Sequence, residues 1–198
     1  MKCVSALGVS LIFVALLFLV YYVHAQFARV DVVFYSALFD GIVATCVAAI
    51  LLHVVPAFRR LSSFERLQLT VIWLLMGYAF AISIPTVIDR SLSFYILEKI
   101  EQRGGGIQQS KFEKVFTEEY VREHRLVDVR LTEQLQSGTV RIENGCVKLT
   151  ERGRRLVSFS RFFRQNLLPK ERLLMGGYSD DLTDPFRHSA DVRDYQCQ

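Results

Sequence analysis

The chain has 198 residues, 51% of them apolar, and a mean hydropathy of +0.24, which is too apolar for an ordinary soluble globule and leaves room for one or two domains. The net charge of +4 is unevenly held: residues 1–88 carry five Lys or Arg and three acids, and residues 89–198 carry nineteen and seventeen. A membrane segment joined to a soluble one is therefore expected, with boundaries at 1–88, 89–168 and 169–198.

Val4 to Val23 is an uncharged run about long enough to cross a hydrocarbon core as a helix. A cleaved signal peptide is the competing reading, because Lys2 precedes the run and Val-His-Ala precedes Gln26. Val32 to Val55 and Leu67 to Ile84 are two further apolar runs. The short Arg59-Arg60 and Arg66 connection between them predicts an antiparallel pair. Ala37, Gly41, Thr45 and Ala49 recur every four residues in the second run, and Gly77 and Ala81 do so in the third, so close helix packing is expected within the chain or against a partner. Asp40 is the one formal charge well inside these runs. An acid there needs protonation, a hydrogen-bond partner such as Ser, Thr or Tyr, a contact with another subunit, or a role in proton, ion or substrate binding.

Pro85 is expected to end the third span. Leu92, Ile96 and Ile100 then mark one face of a helix stopped by Gly104 to Gly106, and no strand or Gly-Lys-Ser continuation makes those glycines a phosphate loop. Lys111 to His124 has helical spacing through Phe112, Val115, Phe116 and Tyr120. A third helix runs through Val127, Leu131 and Leu135 to Ser137-Gly138. The period then drops to two. An Asn144-Gly145 turn would set Ile142 opposite Val147 and Val140 opposite Leu149, and would also oppose two like charges, Arg141 and Lys148.

Three helices, a hairpin and a closing helix, with a strand ending Val-Lys-Leu-Thr before Glu-Arg-Gly-Arg-Arg-Leu, resemble the winged-helix family over about residues 90–167. The Leu-Thr-x-x-Gly junction is similar to the wing ending of MarR-like and PadR-like regulators. The resemblance implies a small α+β winged-helix domain behind three transmembrane helices. It also implies a recognition helix in which Arg130, Thr132, Gln134 and Gln136 would face DNA. Asp128 and Glu133 share that helix, and residues 89–150 hold ten basic and ten acidic residues, whereas a DNA-reading face normally carries a basic excess.

The basic excess lies later, in seven basic against two acidic residues from Glu151 to Arg172, where Leu156, Phe159, Phe163 and Leu167 follow helical spacing. Arg141, Lys148, Arg152, Arg154, Arg155, Arg161 and Arg164 then form an expected basic patch for anionic lipid headgroups or an acidic protein surface. Lys170 to Gln198 turns acidic and reads as a solvated tail, or as a docking segment anchored by Tyr178, Leu182, Phe186 and Tyr195.

The four cysteines and four histidines are scattered, so reduced thiols and neither metal nor cofactor are expected. The functional expectation is a non-catalytic accessory or scaffold subunit that binds other integral membrane subunits in a bacterial inner membrane, with the soluble domain cytoplasmic although the flanking charges are nearly balanced. A membrane-tethered regulator that binds DNA is the alternative. A second alternative is an enzyme using Asp89-Arg90, Glu118-Glu119 or His124 near the membrane exit, but adjacent carboxylates on one helix point in different directions.

Overall fold

In the computed structural model, residues 2–58 and 61–187 are described; Arg59 and Arg60 of the basic connection and Tyr195 of the tail lie outside them. The chain divides into two units, residues 1–126 and 127–198. Three helices of the first unit are long and apolar enough to cross a membrane. They are α1 (Lys2–Phe27), α2 (Val33–Val54) and α3 (Ser63–Ser83), the last continued by α4 (Pro85–Arg90).

These helices pack through one apolar core. Val9, Phe13 and Leu17, four residues apart on α1, meet Ala44, Ala48 and Leu52 of α2 and Trp73 and Phe80 of α3. Phe13 stacks on Trp73 at 5.5 Å between ring centroids. The indole N–H of Trp73 donates to Ser10 Oγ at 3.1 Å, so the ring buries no unsatisfied donor. A capping box starts α3: the Glu65 N–H donates to Ser62 Oγ, and the Ser62 N–H donates to the Glu65 carboxylate. Lys2 pairs with the same carboxylate at 3.0 Å, which puts the start of α1 beside the start of α3.

Helix α3 ends at Ser83, as expected from Pro85, but Pro85 itself does not stop the helical path. It occupies the first turn of α4, and the Ile84 and Ile88 amides still donate to Phe80 and Ile84 carbonyls. Proline removes the N–H that would have reached the Ala81 carbonyl. Thr86 Oγ1 donates to that carbonyl instead, at 2.7 Å, so the break leaves no orphaned acceptor.

Beyond the spans, α5 (Leu92–Gln102) begins at an Ser91 cap and ends in a Schellman arrangement, with Gly104 N–H donating to Glu101 O and Gly105 N–H to Ile100 O. The following helical stretch changes type along its length, from a 3-10 turn (Gln109–Lys111) through α6 (Phe112–Lys114) and a π segment (Val115–Tyr120) to α7 (Val121–Glu123). The expected apolar face of α5 is rotated. Leu92 is exposed, Ile96 and Ile100 are half-buried, and the fully buried positions are Tyr95 and Lys99.

In the second unit, α8 (Leu126–Gln136) ends at Gly138 in the same Schellman pattern, Gly138 N–H to Leu135 O and Thr139 N–H to Gln134 O. Strands β1 (Val140–Glu143) and β2 (Cys146–Leu149) pair antiparallel around Asn144 and Gly145, both at positive φ. Their register sets Val140 opposite Leu149, Arg141 opposite Lys148 and Ile142 opposite Val147. Helix α9 (Glu151–Asn166) follows directly. Within the described part of the acidic stretch, β3 (Arg172–Leu174) and β4 (Gly177–Ser179) form a second hairpin whose residues remain largely exposed to solvent. Arg187 binds Asp180 and Asp181 at 2.5–2.9 Å.

Candidate functional site

The small residues of the spans are used inside the chain. A Cβ on Gly41 would stand 3.1 Å from the Gly77 Cα, so the backbones of α2 and α3 touch at this pair and a side chain there would have to push them apart. Ala37, Thr45 and Ala81 are buried along the same seam. Ala49 is only half-buried, and Ala44 and Ala48 are buried instead, because a strict four-residue repeat drifts off a helix face of period 3.6. Thr45 returns its hydroxyl to the Gly41 carbonyl at 2.8 Å, leaving no free polar group in the seam.

Asp40 is 1% exposed. Its carboxylate meets His24 Nδ1 at 2.6 Å, so the partner is a histidine of α1 and not a Ser, Thr or Tyr. A cavity of about 200 Å³ lined by Tyr21, His24, Val30, Ser36 and Asp40 opens beside the pair. Position 24 lies at the far end of the first apolar run, where a lone histidine gives no sign in sequence of which helix it will face.

Outside the spans, α5 and the 112–123 stretch are laced by an antiparallel ladder of charges. Tyr95 Oη donates to Glu123 (2.9 Å), Lys99 Nζ to Glu123 (2.6 Å) and Glu119 (2.8 Å), and Arg103 to Glu119 (2.8 Å). Residues 95, 99 and 103 are one turn apart, as are 119 and 123, so the spacing of both sides was present in sequence. The bonds from Lys99 hold both carboxyls below the ordinary range, and the two carboxylates raise Lys99 to about 12. Burial and the Glu123 bond raise Tyr95 to about 12 as well. Every strong partner in this ladder is satisfied within it. Glu118 points away to Lys114 at 3.5 Å, and His124 lies against the rings of Tyr95 and Tyr120.

The junction of hairpin and helix in the second unit shows why its residues are Thr and Gly. Thr150 caps α9 by accepting the Gly153 N–H at 3.1 Å, and its single hydroxyl hydrogen lies between Gly138 O (2.8 Å) and Thr139 O (3.1 Å). Gly153 sits so close beneath Thr139 that a Cβ would lie 2.1 Å from the Thr139 carbonyl oxygen. Thr139 is itself buried, bonded to the Gln134 carbonyl at 3.1 Å and to the Gln134 side chain.

Two of the four residues expected on a recognition helix are engaged locally. Arg130 pairs with Glu133 at 2.9 Å, and Gln134 belongs to the Thr139 network, while Thr132 and Gln136 are exposed. The expected basic patch is likewise divided. Arg141 and Lys148, opposed across the hairpin, both bind Glu143, at 3.0 and 3.4 Å, so the neutralising anion comes from the hairpin and no external one is required. Arg154 and Arg155 share Glu151 (3.1 and 3.4 Å), and Arg164 reaches the Leu182 carbonyl at 3.5 Å. Arg152 and Arg161 stand on the exposed surface of α9.

A cavity of about 370 Å³ lies within this unit, lined by Leu149, Gly153, Leu156 and Val157 and, from the later stretch, by Pro185 and Phe186. Among the described residues from 127 to 187 only Thr139 and Gly153 are buried, and no apolar side chain is. Val127, Val129, Ile142, Val147, Phe159 and Phe162 are each at least 39% exposed. Among the described residues no group of three His, Cys, Asp or Glu is placed to hold a metal ion. Cys3 and Cys46 are free, whereas Cys146, at the start of β2, is disulfide-bonded and not the reduced thiol expected. No protein-family model, no curated protein and no solved structure matches this chain.

Proposed function

We propose that this chain is a non-catalytic accessory or scaffold subunit of an integral membrane complex, anchored by its three apolar helices and docking through a winged-helix-type module. One observation carries the reading: the second unit has caps, a matched hairpin register and a tight Thr139–Gly153 contact, yet it buries no apolar side chain among its described residues. An exposed apolar surface on a unit with so little core of its own is what a docking surface requires. The seam around Gly41 and Gly77 is filled within the chain, so a partner would meet the outward faces of the spans or the hairpin side of the second unit.

The Leu149-Thr150-x-x-Gly153 junction supports the winged-helix resemblance, and the Arg130–Glu133 pair favours protein contact over DNA. The disulfide at Cys146 favours the oxidising face of a bacterial inner membrane for this unit, opposite to the cytoplasmic side expected from sequence. Purification of the tagged full-length chain in mild detergent should retain a membrane partner in fixed stoichiometry. Substituting Asp for Ile142 and Val147 together should release it. A clean monomer from native membranes would refute the proposal.

A further inference from the structure

The geometry points to one occupant for the outer face of α9: the surface of an anionic bilayer. At 100° per residue, Arg152, Arg155, Phe159, Phe162, Phe163 and Asn166 fall within an arc of about 100°, whose centre lies roughly 130° from Gly153. Gly153 is the point at which α9 presses on Thr139, so this arc faces away from that contact. The three phenylalanines are 59%, 56% and 40% exposed.

Three aromatic rings sharing a face with two arginines at its N-terminal end match the interfacial chemistry of lipid. The rings enter the acyl boundary, and the guanidinium groups extend back to phosphate oxygens on flexible stems. A second copy of the chain fits less well. A two-fold interface would bury the arginines of both copies on a face that holds no acid, and the one nearby acid, Glu151, already serves Arg154 and Arg155. The spans of the same chain keep a bilayer within reach, so even weak surface affinity suffices for docking. This inference rests on the membrane anchoring of the proposed function but not on its partner subunit.

The test uses the full-length chain with Cys3 and Cys46 replaced by Ser and an environment-sensitive NBD fluorophore on Asn166→Cys, reconstituted in vesicles. Emission should shift to the blue when phosphatidylglycerol is added to phosphatidylcholine vesicles and return when salt is raised. Arg152→Gln with Arg155→Gln should lower the docked population about thirtyfold relative to the undocked one, at the strength typical of basic residues near an anionic surface. A blue emission equal in neutral vesicles, anionic vesicles and detergent would mean that protein covers the face, and would overturn the inference. Red emission in all three would overturn it equally. Partner copurification leaves this readout unchanged, so the two proposals fail separately.

Discussion

Replacing Gly153 by Ala tests the junction at its tightest point, because two effects of opposite sign meet there. Alanine is favoured over glycine inside a helix by about 1 kcal/mol, so an unobstructed substitution would stabilise α9. Here the new Cβ would lie 2.1 Å from the Thr139 carbonyl oxygen, a backbone atom with no rotamer to adopt. Relief requires that oxygen to retreat by about 1 Å, and overpacking of this kind costs about 1–3 kcal/mol. The same oxygen accepts the Thr150 amide at 3.1 Å, and the retreat would lengthen that bond past useful range, at about 1 kcal/mol, while the Thr150 hydroxyl keeps its shorter bond to Gly138 O at 2.8 Å. The clash therefore wins, and the net effect is a destabilisation of about 2 kcal/mol. Hydrogen exchange on the full-length protein should show amides of 139–157 opening about thirtyfold faster, while exposed Ser158→Ala in the same helix should leave them unchanged or slower. Equal or slower exchange in Gly153→Ala would show that propensity governs the site and that the close contact is not formed.

Gly77→Val should separate α2 from α3 and lower the detergent melting temperature by the equivalent of about 1–3 kcal/mol, since the opposing surface at Gly41 is backbone; an unchanged melt would place the seam elsewhere. His24→Ala should cost about 1–3 kcal/mol by stranding the Asp40 carboxyl, and Asp40→Asn, which keeps a hydrogen-bonding side chain, should cost less. The reverse order would show that the pair acts mainly through its charge. The ladder around Lys99 predicts a pH window for stability. Glu119 and Glu123 titrate below their ordinary 4.5, so their contribution is present above that pH and is lost as pH falls through the depressed values. Lys99, raised to about 12, contributes fully below 10.5 and loses its contribution as pH rises through 12. Melting of the parent should show both losses, and Lys99→Met should flatten them. Reporter fusions after Gln136 should be active only on the oxidising side of the membrane if the Cys146 disulfide reflects its compartment.

Sequence alone determined the features that rest on local chemistry. Apolar run length marked the three long apolar helices, the Gly104 and Gly138 stops appeared as positive-φ helix ends, and the Asn144-Gly145 turn set the hairpin register residue by residue. These depend on backbone preference and periodicity, which a short window contains. The partners of charged groups were legible only in part. Glu143 stands two residues from Arg141 and so on the same strand face, a signal that already accounted for the Arg141–Lys148 opposition. His24 and Asp40 lie on different helices, and their meeting depends on how α1 rotates against α2, which no local pattern encodes. The same limit hid the burial of Lys99, whose two carboxylates come from a helical stretch some twenty residues on and turn a polar side chain into a buried one. Gly153 belongs to both levels. Its place in Leu-Thr-x-x-Gly was visible as a motif, but only the tertiary structure showed that the missing Cβ makes room for the Thr139 carbonyl, long-range in sequence and fixed by the hairpin that folds between them.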